Sequence, residues 1–410
     1  MIIKLKTARN LIIILIFGLL TGGIGYRLGT NGVTAQIKDF RPAFTISNRM
    51  PQNPPPADFS LFWEVWNKVS AQYVDKTKID PQKMVWGAIS GMVAGIGDPY
   101  TVFLPPVANK ESKESLNGSF EGIGAQLGIK DQKIIVVAPL AGNPAEAAGL
   151  KPGDWIIKVD GQDSLNWTLP ETVAKIRGSK GTFVTLNILH SGETKSVDYK
   201  IMRDTITIKS VEWKVIDATG SGKVAYLKLS RFGEDTDRDW DTLITEISKT
   251  QELKGLVLDL RNNPGGYLQS AVYTASDFLK QGQLVVRQDN NNGTSEDYNV
   301  TRLGKLLTIP VVVLINQGSA SASEILAGAL HDYKRAKLVG EQSFGKGSVQ
   351  EAQDLSGGAG LHVTISKWLL PSGDWINGKG LTPDVKVEND DKQPDKDLQL
   401  EAAIKEVFIK

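Results

Sequence analysis

Pro310-Val311-Val312-Val313-Leu314-Ile315-Asn316-Gln317-Gly318-Ser319-Ala320-Ser321-Ala322-Ser323-Glu324 decides the reading of this chain. An apolar strand runs into a turn of small residues, and a helix follows from Glu324 to about His331. The same order occurs earlier. Leu256-Val257-Leu258-Asp259-Leu260 is a continuous apolar strand broken only by Asp259; it ends in Arg261-Asn262-Asn263-Pro264-Gly265-Gly266, and a helix carrying Ala271, Ala275 and Phe278 comes next. Strands at Val211–Val215 and Val224–Leu229 and a helix around Trp240 to Ile247 extend the pattern. Strand, turn and helix in repetition predict an α/β domain whose loops carry its chemistry.

Towards the N-terminus the period shifts. Between about Ser112 and Arg203, short strands alternate with Gly, Asn and Asp turns. Gly122-Ile123-Gly124-Ala125 opens an alternating segment and Ile134 to Val137 is a second. Asn143 to Leu150 reads as a short helix closed by Gly149, followed by Lys151-Pro152-Gly153-Asp154, a strand Trp155–Val159 and an Asp160-Gly161 turn. The run Gly142 to Gly161 resembles the PDZ domain of exported proteases. That resemblance implies strand addition: a peptide C-terminus pairs with an open sheet edge while backbone N–H groups of a turn hold its carboxylate. Gly122, Ile123 and Gly124 are the candidates for that turn, an ordinary tight turn being the plain alternative. Arg177 either couples this module to the following domain or is simply solvated.

Earlier still, Phe59, Phe62, Trp63, Trp66, Val69 and Tyr73 recur at helical spacing and are expected to be core. A second helix starts at Asp80-Pro81 and stops near Gly95-Ile96-Gly97-Asp98-Pro99. Residues 31–57 are polar and proline-rich and suit a spacer with no structure of its own. Before them, Lys4, Lys6 and Arg9 precede an uncharged run from Leu11 to Tyr26, which reads as an export signal, more readily an uncleaved membrane anchor than a cleaved peptide. The body is therefore expected outside the cytoplasm, in the periplasm or at the cell-envelope exterior.

Composition narrows the chemistry. Forty-seven basic residues balance 46 acidic ones, so no global field points to nucleic acid. Zero cysteines exclude a thiol nucleophile, disulfides and thiolate metal sites; no cluster has metal-ligand spacing, and no cofactor is expected. Serine is then the obvious nucleophile, and it needs a base. Of the three histidines, His190 lies in the PDZ-like region, and His331 and His362 have no evident partner acid at a recognisable spacing. A lysine can act near neutrality only if it gives up its proton about three pH units early, worth roughly 4 kcal/mol, which burial must supply. Lys346, in Ser343-Phe344-Gly345-Lys346-Gly347-Ser348, sits between glycines beside an aromatic, where backbone can pack over the amine. Gly340 to Lys346 also fits most of a phosphate-binding loop, but Gly347 stands where a Ser or Thr should hold magnesium, and the following residues resemble a strand.

Gly318-Ser319-Ala320-Ser321-Ala322-Ser323-Glu324-Ile325, with Gly340-Glu341 and Phe344-Gly345-Lys346-Gly347, resembles the active site of the carboxyl-terminal processing peptidases, or tail-specific proteases. The likeness runs from about Asp58 to Glu388, including Gly378-Lys379-Gly380-Leu381-Thr382-Pro383-Asp384. It implies that Ser321 attacks, that Lys346, 25 residues on, is its base, and that Gln350, one helical turn later, supports the lysine. Ala322 N–H, at the helix start, and an N–H from Gly265 or Gly266 are expected to form the oxyanion hole. Glu324 and Asp332 read most simply as a capping carboxylate and a surface acid.

The expected architecture is a multi-domain α/β chain. Its parts are an anchor (1–30), linker (31–57), N-terminal helical region (58–108), PDZ domain (109–203), α/β peptidase core (204–389) and C-terminal helical tail (390–410). The expected activity is serine endopeptidase cleavage near protein C-termini, with protein or peptide substrates as partners, the membrane reached through the N-terminal segment, and no nucleic acid. A non-catalytic PDZ adaptor is the alternative. Homo-oligomer formation through the N-terminal helices or Leu398 to Ile409 is an expectation from fold-level analogy. The loop bearing Lys346 is expected to shift when the PDZ domain is occupied.

Overall fold

The computed structural model describes residues 58–409 apart from 131–132, 141, 166, 168, 191, 219–221 and 390–395, and adds the backbone of two strands, Val33–Lys38 (β1) and Arg41–Ile46 (β2). The expected anchor at 1–30 lies outside the described residues; among the described residues no helix is long and apolar enough to cross a membrane. The chain divides into two units, residues 1–84 and 85–410. In the first, β1 and β2 pair antiparallel from Val33↔Ile46 to Lys38↔Arg41. The spacer reading of 31–57 is corrected there: Val33, Ile37, Phe44 and Ile46 favour a strand pair despite the surrounding prolines. Helix α1 (Ser60–Gln72) follows, with Asp58 accepting the Ser60 N–H at 2.8 Å. Its aromatics are not core within this unit. Phe59 and Trp63 are at least half exposed, and Phe62, Trp63 and Trp66 meet one another at centroid distances of 5.0 to 6.2 Å. The helical period is real, but so small a unit offers little to bury it against.

Helix α2 (Pro81–Ala94) begins on a proline at its first position and ends before Gly95 and Gly97, the latter at φ 81°. Strand β3 (Val102–Leu104), helix α3 (Pro106–Asn117) and strand β4 (Ser119–Gly122) lead into a separate sheet. It is built from β5 (Ala125–Lys130), β6 (Lys133–Pro139), β7 (Trp155–Val159), β8 (Gln162–Asp163), β9 (Phe183–Leu189) and β10 (Val197–Met202), with helices α4 (Pro144–Ala147) and α5 (Leu169–Ile176). The order is β10-β9-β7-β6-β5, with β8 on β7, so β5 is an edge, and α5 packs beside it. Alternate residues Val184, Leu186 and Ile188 of β9 point into a core with Val136 and Ile156. Strand β11 (Asp204–Thr207) returns to pair with β4.

The remaining chain forms the larger α/β body: β12 (Val211–Ala218), β13 (Gly222–Leu229), α6 (Thr236–Lys249), β14 (Leu253–Asp259), α7 (Leu268–Ala275), β15 (Leu284–Asn290), β16 (Ser295–Asn299), β17 (Val311–Ile315), α8 (Ala322–Asp332), β18 (Ala336–Gly340), β19 (Ser348–Asp354), β20 (Gly360–Leu369), β21 (Val385–Lys386) and α9 (Leu398–Val407). The main sheet runs β12-β13-β14-β17-β18-β21, parallel from β13 onwards. All five residues of β17 are buried, because helices cover both faces. At about 1.5–3 kcal/mol for each fully buried aliphatic side chain, this strand is a main source of stability. Leu256, Leu258, Val313 and Ile315 face α6, α7 and α8, whereas Val257, Val312, Leu314 and Val339 face Ala403 and Val407 of α9. The C-terminal helix is therefore part of the core, and a tail starting at 390 drew the boundary too early. A second, antiparallel sheet, β16-β15-β20-β19, takes β3 on β20.

Candidate active site

Parallel order sets the ends of β13, β14, β17 and β18 side by side, so their loops converge. The loop after β17 carries the three serines, and the fold separates them. Ser319 and Ser323 are fully buried: Ser319 Oγ donates to Leu260 O at 2.8 Å and Ser323 Oγ to Asn263 O at 2.7 Å. Both tie the loop to the end of β14. Ser321 alone is partly exposed, at the head of α8 with φ 55° and ψ −116°. A positive φ at a non-glycine residue is strained, and it turns this side chain out of the packed turn. It opens on a cavity of about 570 Å³, lined also by Gly266, Lys346, Gln350 and His362.

Two backbone donors stand ready beside it. Among the described residues neither Ala322 N–H nor Gly266 N–H donates a hydrogen bond, and Ala322 begins the helix, where partial positive charge collects. Gly265 does not fit the oxyanion role expected of it: its N–H donates to Asn263 Oδ1 at 2.9 Å. An Asn two residues before the donor closes such a turn by itself. The glycine serves close approach instead, since a Cβ there, at φ +96°, would lie 2.8 Å from Ser321 Cβ and 2.7 Å from Ala320 O.

Lys346 lies in the loop between β18 and β19. Gly345, at φ +88°, packs on Lys379 and Gly380, and Gly347 packs under Trp375, whose Nε1 donates to Gly347 O at 2.8 Å. Burial pushes the Lys346 amine down from the ordinary lysine range, while the charges of Asp98 and then Glu324 hold it up. Glu324 does far more than cap a helix. Fully buried, it accepts Ser321 N–H (2.8 Å) and Lys346 N–H (2.9 Å) on Oε2, and Gly345 N–H (2.7 Å) and Ser343 Oγ (2.5 Å) on Oε1. One carboxylate thus fixes the backbones of Ser321 and Lys346 to each other. Among the described residues, however, no hydrogen bond joins Lys346 Nζ to Ser321 Oγ; the amine stands over the Tyr100 ring, 5.2 Å from its centroid.

Gln350 lies on strand β19, not a helical turn after the lysine. Its amide donates to Ser348 Oγ at 2.9 Å and Thr364 Oγ1 at 3.2 Å. Asp332 accepts Ser372 N–H at 2.8 Å and so anchors a distant turn. Two histidines do have acid partners: His190 meets Asp154 at 2.6 Å and Tyr199 at 2.6 Å, and His331 meets Asp384 at 3.2 Å. His362 is the one that lines the cavity, and burial, then the Lys346 charge, push its imidazole down. After Gly347 the chain enters β19, as the non-nucleotide reading requires.

Comparison with known proteins bears on this arrangement. Residues 223–387 match peptidase family S41, residues 110–189 the PDZ domain, and residues 34–106 the N-terminal domain of the activating protease CtpB. The chain is 39% identical over 342 residues to the carboxy-terminal processing protease CtpB of Bacillus subtilis, covering 83% of this chain and 70% of that protein. The chain belongs to the carboxy-terminal processing proteases of peptidase family S41. It is a serine-type peptidase with a PDZ domain. A carboxy-terminal-processing protease of Bartonella bacilliformis is 40% identical over 331 residues, 80% of this chain and 74% of that one. A solved S41-type structure from Bacteroides fragilis shares the fold at a TM-score of 0.54 and 17% identity, over 87% of this chain and 98% of its own.

In this family member, Gly122 ends β4, Ile123 is buried, and Gly124, at φ +73°, packs against Asn143. Ile123 O accepts Ala145 N–H at 2.7 Å and Gly124 O accepts Leu140 N–H at 2.9 Å, while among the described residues the N–H groups of both are not donated. The turn stands at the head of the open β5 edge. Arg177 is not merely solvated: its guanidinium lies 4.5 Å from the Phe120 ring centroid and 3.6 Å from Glu114. Sequence reasoning missed Glu324 as a hub, His362 in the cavity and Tyr100 under the amine. Only Glu324 carried a usable signal, three residues after Ser321.

Proposed function

We propose that this protease is an exported endopeptidase that takes protein C-termini at its PDZ domain and cuts near the tail by a Ser-Lys mechanism. The observation that carries the reading is Ser321, strained and partly exposed at the head of α8, sharing a cavity with a lysine whose charge is disfavoured by burial. Neutral Lys346 Nζ takes the Ser321 Oγ proton as Oγ attacks the scissile carbonyl. Ala322 N–H and Gly266 N–H receive the oxyanion, a donor of this kind being worth about 3 kcal/mol. The C–N bond breaks as the lysine returns the proton to the leaving amine, leaving an acyl-enzyme that water hydrolyses with Lys346 again as base. Gln350 and Ser348 line the approach to the amine. Among the described residues no hydrogen bond joins the amine to Ser321 Oγ, and we assign the shift of the Lys346 loop that closes this contact to occupancy of the PDZ domain.

For the PDZ half of the reading, the β5 edge and the free N–H groups of Ile123 and Gly124 offer a strand partner and a carboxylate seat. Export rests on the basic and then apolar N-terminal sequence. The test is a tail-cleavage assay on a labelled protein with a free or an amidated C-terminus, run with wild type, Ser321→Ala, Lys346→Ala and a PDZ deletion. The reading expects loss of turnover in both point variants and a marked preference for the free carboxylate. Turnover unchanged by Ser321→Ala would refute the catalytic assignment, and equal rates on both substrates would refute the PDZ one.

A further inference from the structure

The segment Gly97-Asp98-Pro99-Tyr100-Thr101 does nothing in the sequence reading beyond stopping α2. In the fold it is carried to the side of Lys346, because β3, which it feeds, pairs with β20 through Gly360↔Leu104, Leu361↔Phe103 and His362↔Val102. Its turn is closed by its own carboxylate: Asp98 Oδ1 accepts Tyr100 N–H at 3.1 Å and Oδ2 accepts Thr101 Oγ1 at 2.6 Å. Thr101 is 6% exposed and its Oγ1 accepts Thr364 N–H at 3.1 Å. Thr364 Oγ1 in turn accepts the Gln350 amide at 3.2 Å. A chain of hydrogen bonds therefore runs from Asp98 through Thr101 and Thr364 to Gln350, and Tyr100, whose backbone N–H is held by the same Asp98, presents a ring face to the Lys346 amine at 5.2 Å, within cation–π range.

We propose that Asp98 and Tyr100 are positioning residues of the peptidase: the Tyr100 ring seats the Lys346 amine, and Asp98 holds that ring and, through Thr101 and Thr364, orients the Gln350 amide. The proposal rests on Lys346 being the base. An amine buried in a peptide cleft has few directions that avoid a stray hydrogen bond, and a flat aromatic face confines it without competing for its lone pair. The charged and titratable groups facing it are Asp98 and Tyr100 from this turn, Glu324 from α8 and His362 from β20. The Asp98 charge, ahead of that of Glu324, favours the ammonium and so opposes the depression that burial causes.

The experiment is the dependence of kcat and kcat/KM on pH, between about pH 5 and 10, for full-length wild type, Asp98→Asn, Tyr100→Phe, Tyr100→Leu, Thr364→Val and Lys346→Ala. Tyr100→Phe keeps the ring and should stay within about twofold of wild type, whereas Tyr100→Leu should lose roughly ten- to a hundredfold in kcat with KM little changed. Asp98→Asn removes a negative charge that favours the ammonium. The amine then sheds its proton at lower pH, and the acid limb of kcat/KM moves down. A role in folding alone would reduce the active fraction and leave that limb in place. Should Tyr100→Leu fail to fold, Thr364→Val cuts the same chain further along and should lower kcat without moving the limb. An unmoved limb in Asp98→Asn, or a wild-type kcat in Tyr100→Leu, overturns the proposal. Full turnover by Lys346→Ala instead overturns the lysine reading beneath it.

Discussion

Replacing Glu324 by Gln keeps the size of the side chain but turns one of its two acceptor oxygens into a donor. That oxygen serves two of the four donors converging there, from Ser321, Ser343, Gly345 and Lys346. Each buried donor left without an acceptor costs about 1–3 kcal/mol, so Glu324→Gln should lose roughly 2–5 kcal/mol in urea unfolding and at least tenfold in kcat. Ser319→Ala and Ser323→Ala should instead cost about 1 kcal/mol each in the same unfolding measurement and retain turnover, because their hydroxyls point into the protein. The serine cluster is where sequence and structure meet best. The middle serine is readable from the motif, and the backbone strain at φ 55° explains why it alone is free. Of the two glycines offered for the second oxyanion donor, Gly265 spends its N–H on Asn263, two residues before it, which leaves Gly266. Tyr100 was invisible: its contact with Lys346 spans most of the chain, and nothing in its own neighbourhood signals it.

At the scale of the elements, the strand-turn-helix unit β17–α8 and the β14 loop were legible because continuous apolar runs and small-residue turns are local signals. Gln350 lies on the strand that the residues after Gly347 foretell, so its four-residue spacing from Lys346 is a strand spacing rather than a helical turn. The close contact between the β14 loop and the head of α8 yields a sharp test. Gly265→Ala would press a methyl group to within 2.8 Å of Ser321 Cβ at a φ that disfavours alanine. Displacement of the nucleophile by even an ångström costs about a hundredfold in rate, so kcat should fall by about that factor while circular dichroism keeps the native spectrum. A wild-type kcat would mean the loops have room to part.

For the whole molecule, the last helix is a structural member rather than an appendage. Ala403 and Val407 cover the valine face of the main sheet, and Arg261 links Asp259 to Asp397 at the head of α9. Truncation before residue 396 should therefore expose that face, bind a hydrophobic dye and lower the urea midpoint sharply. The aromatics of α1 show the converse: a clear helical period at Phe62, Trp63 and Trp66 revealed the helix but not what, if anything, it packs on. The central claim is that Ser321, activated by Lys346, is the nucleophile, and the most direct measurement is the site and rate of labelling by a fluorophosphonate. The account predicts one adduct, on Ser321, forming faster as pH rises through the titration of the buried amine and slowed at least a hundredfold in Lys346→Ala. An adduct on Ser319 or Ser323, or a labelling rate indifferent to Lys346, would contradict it.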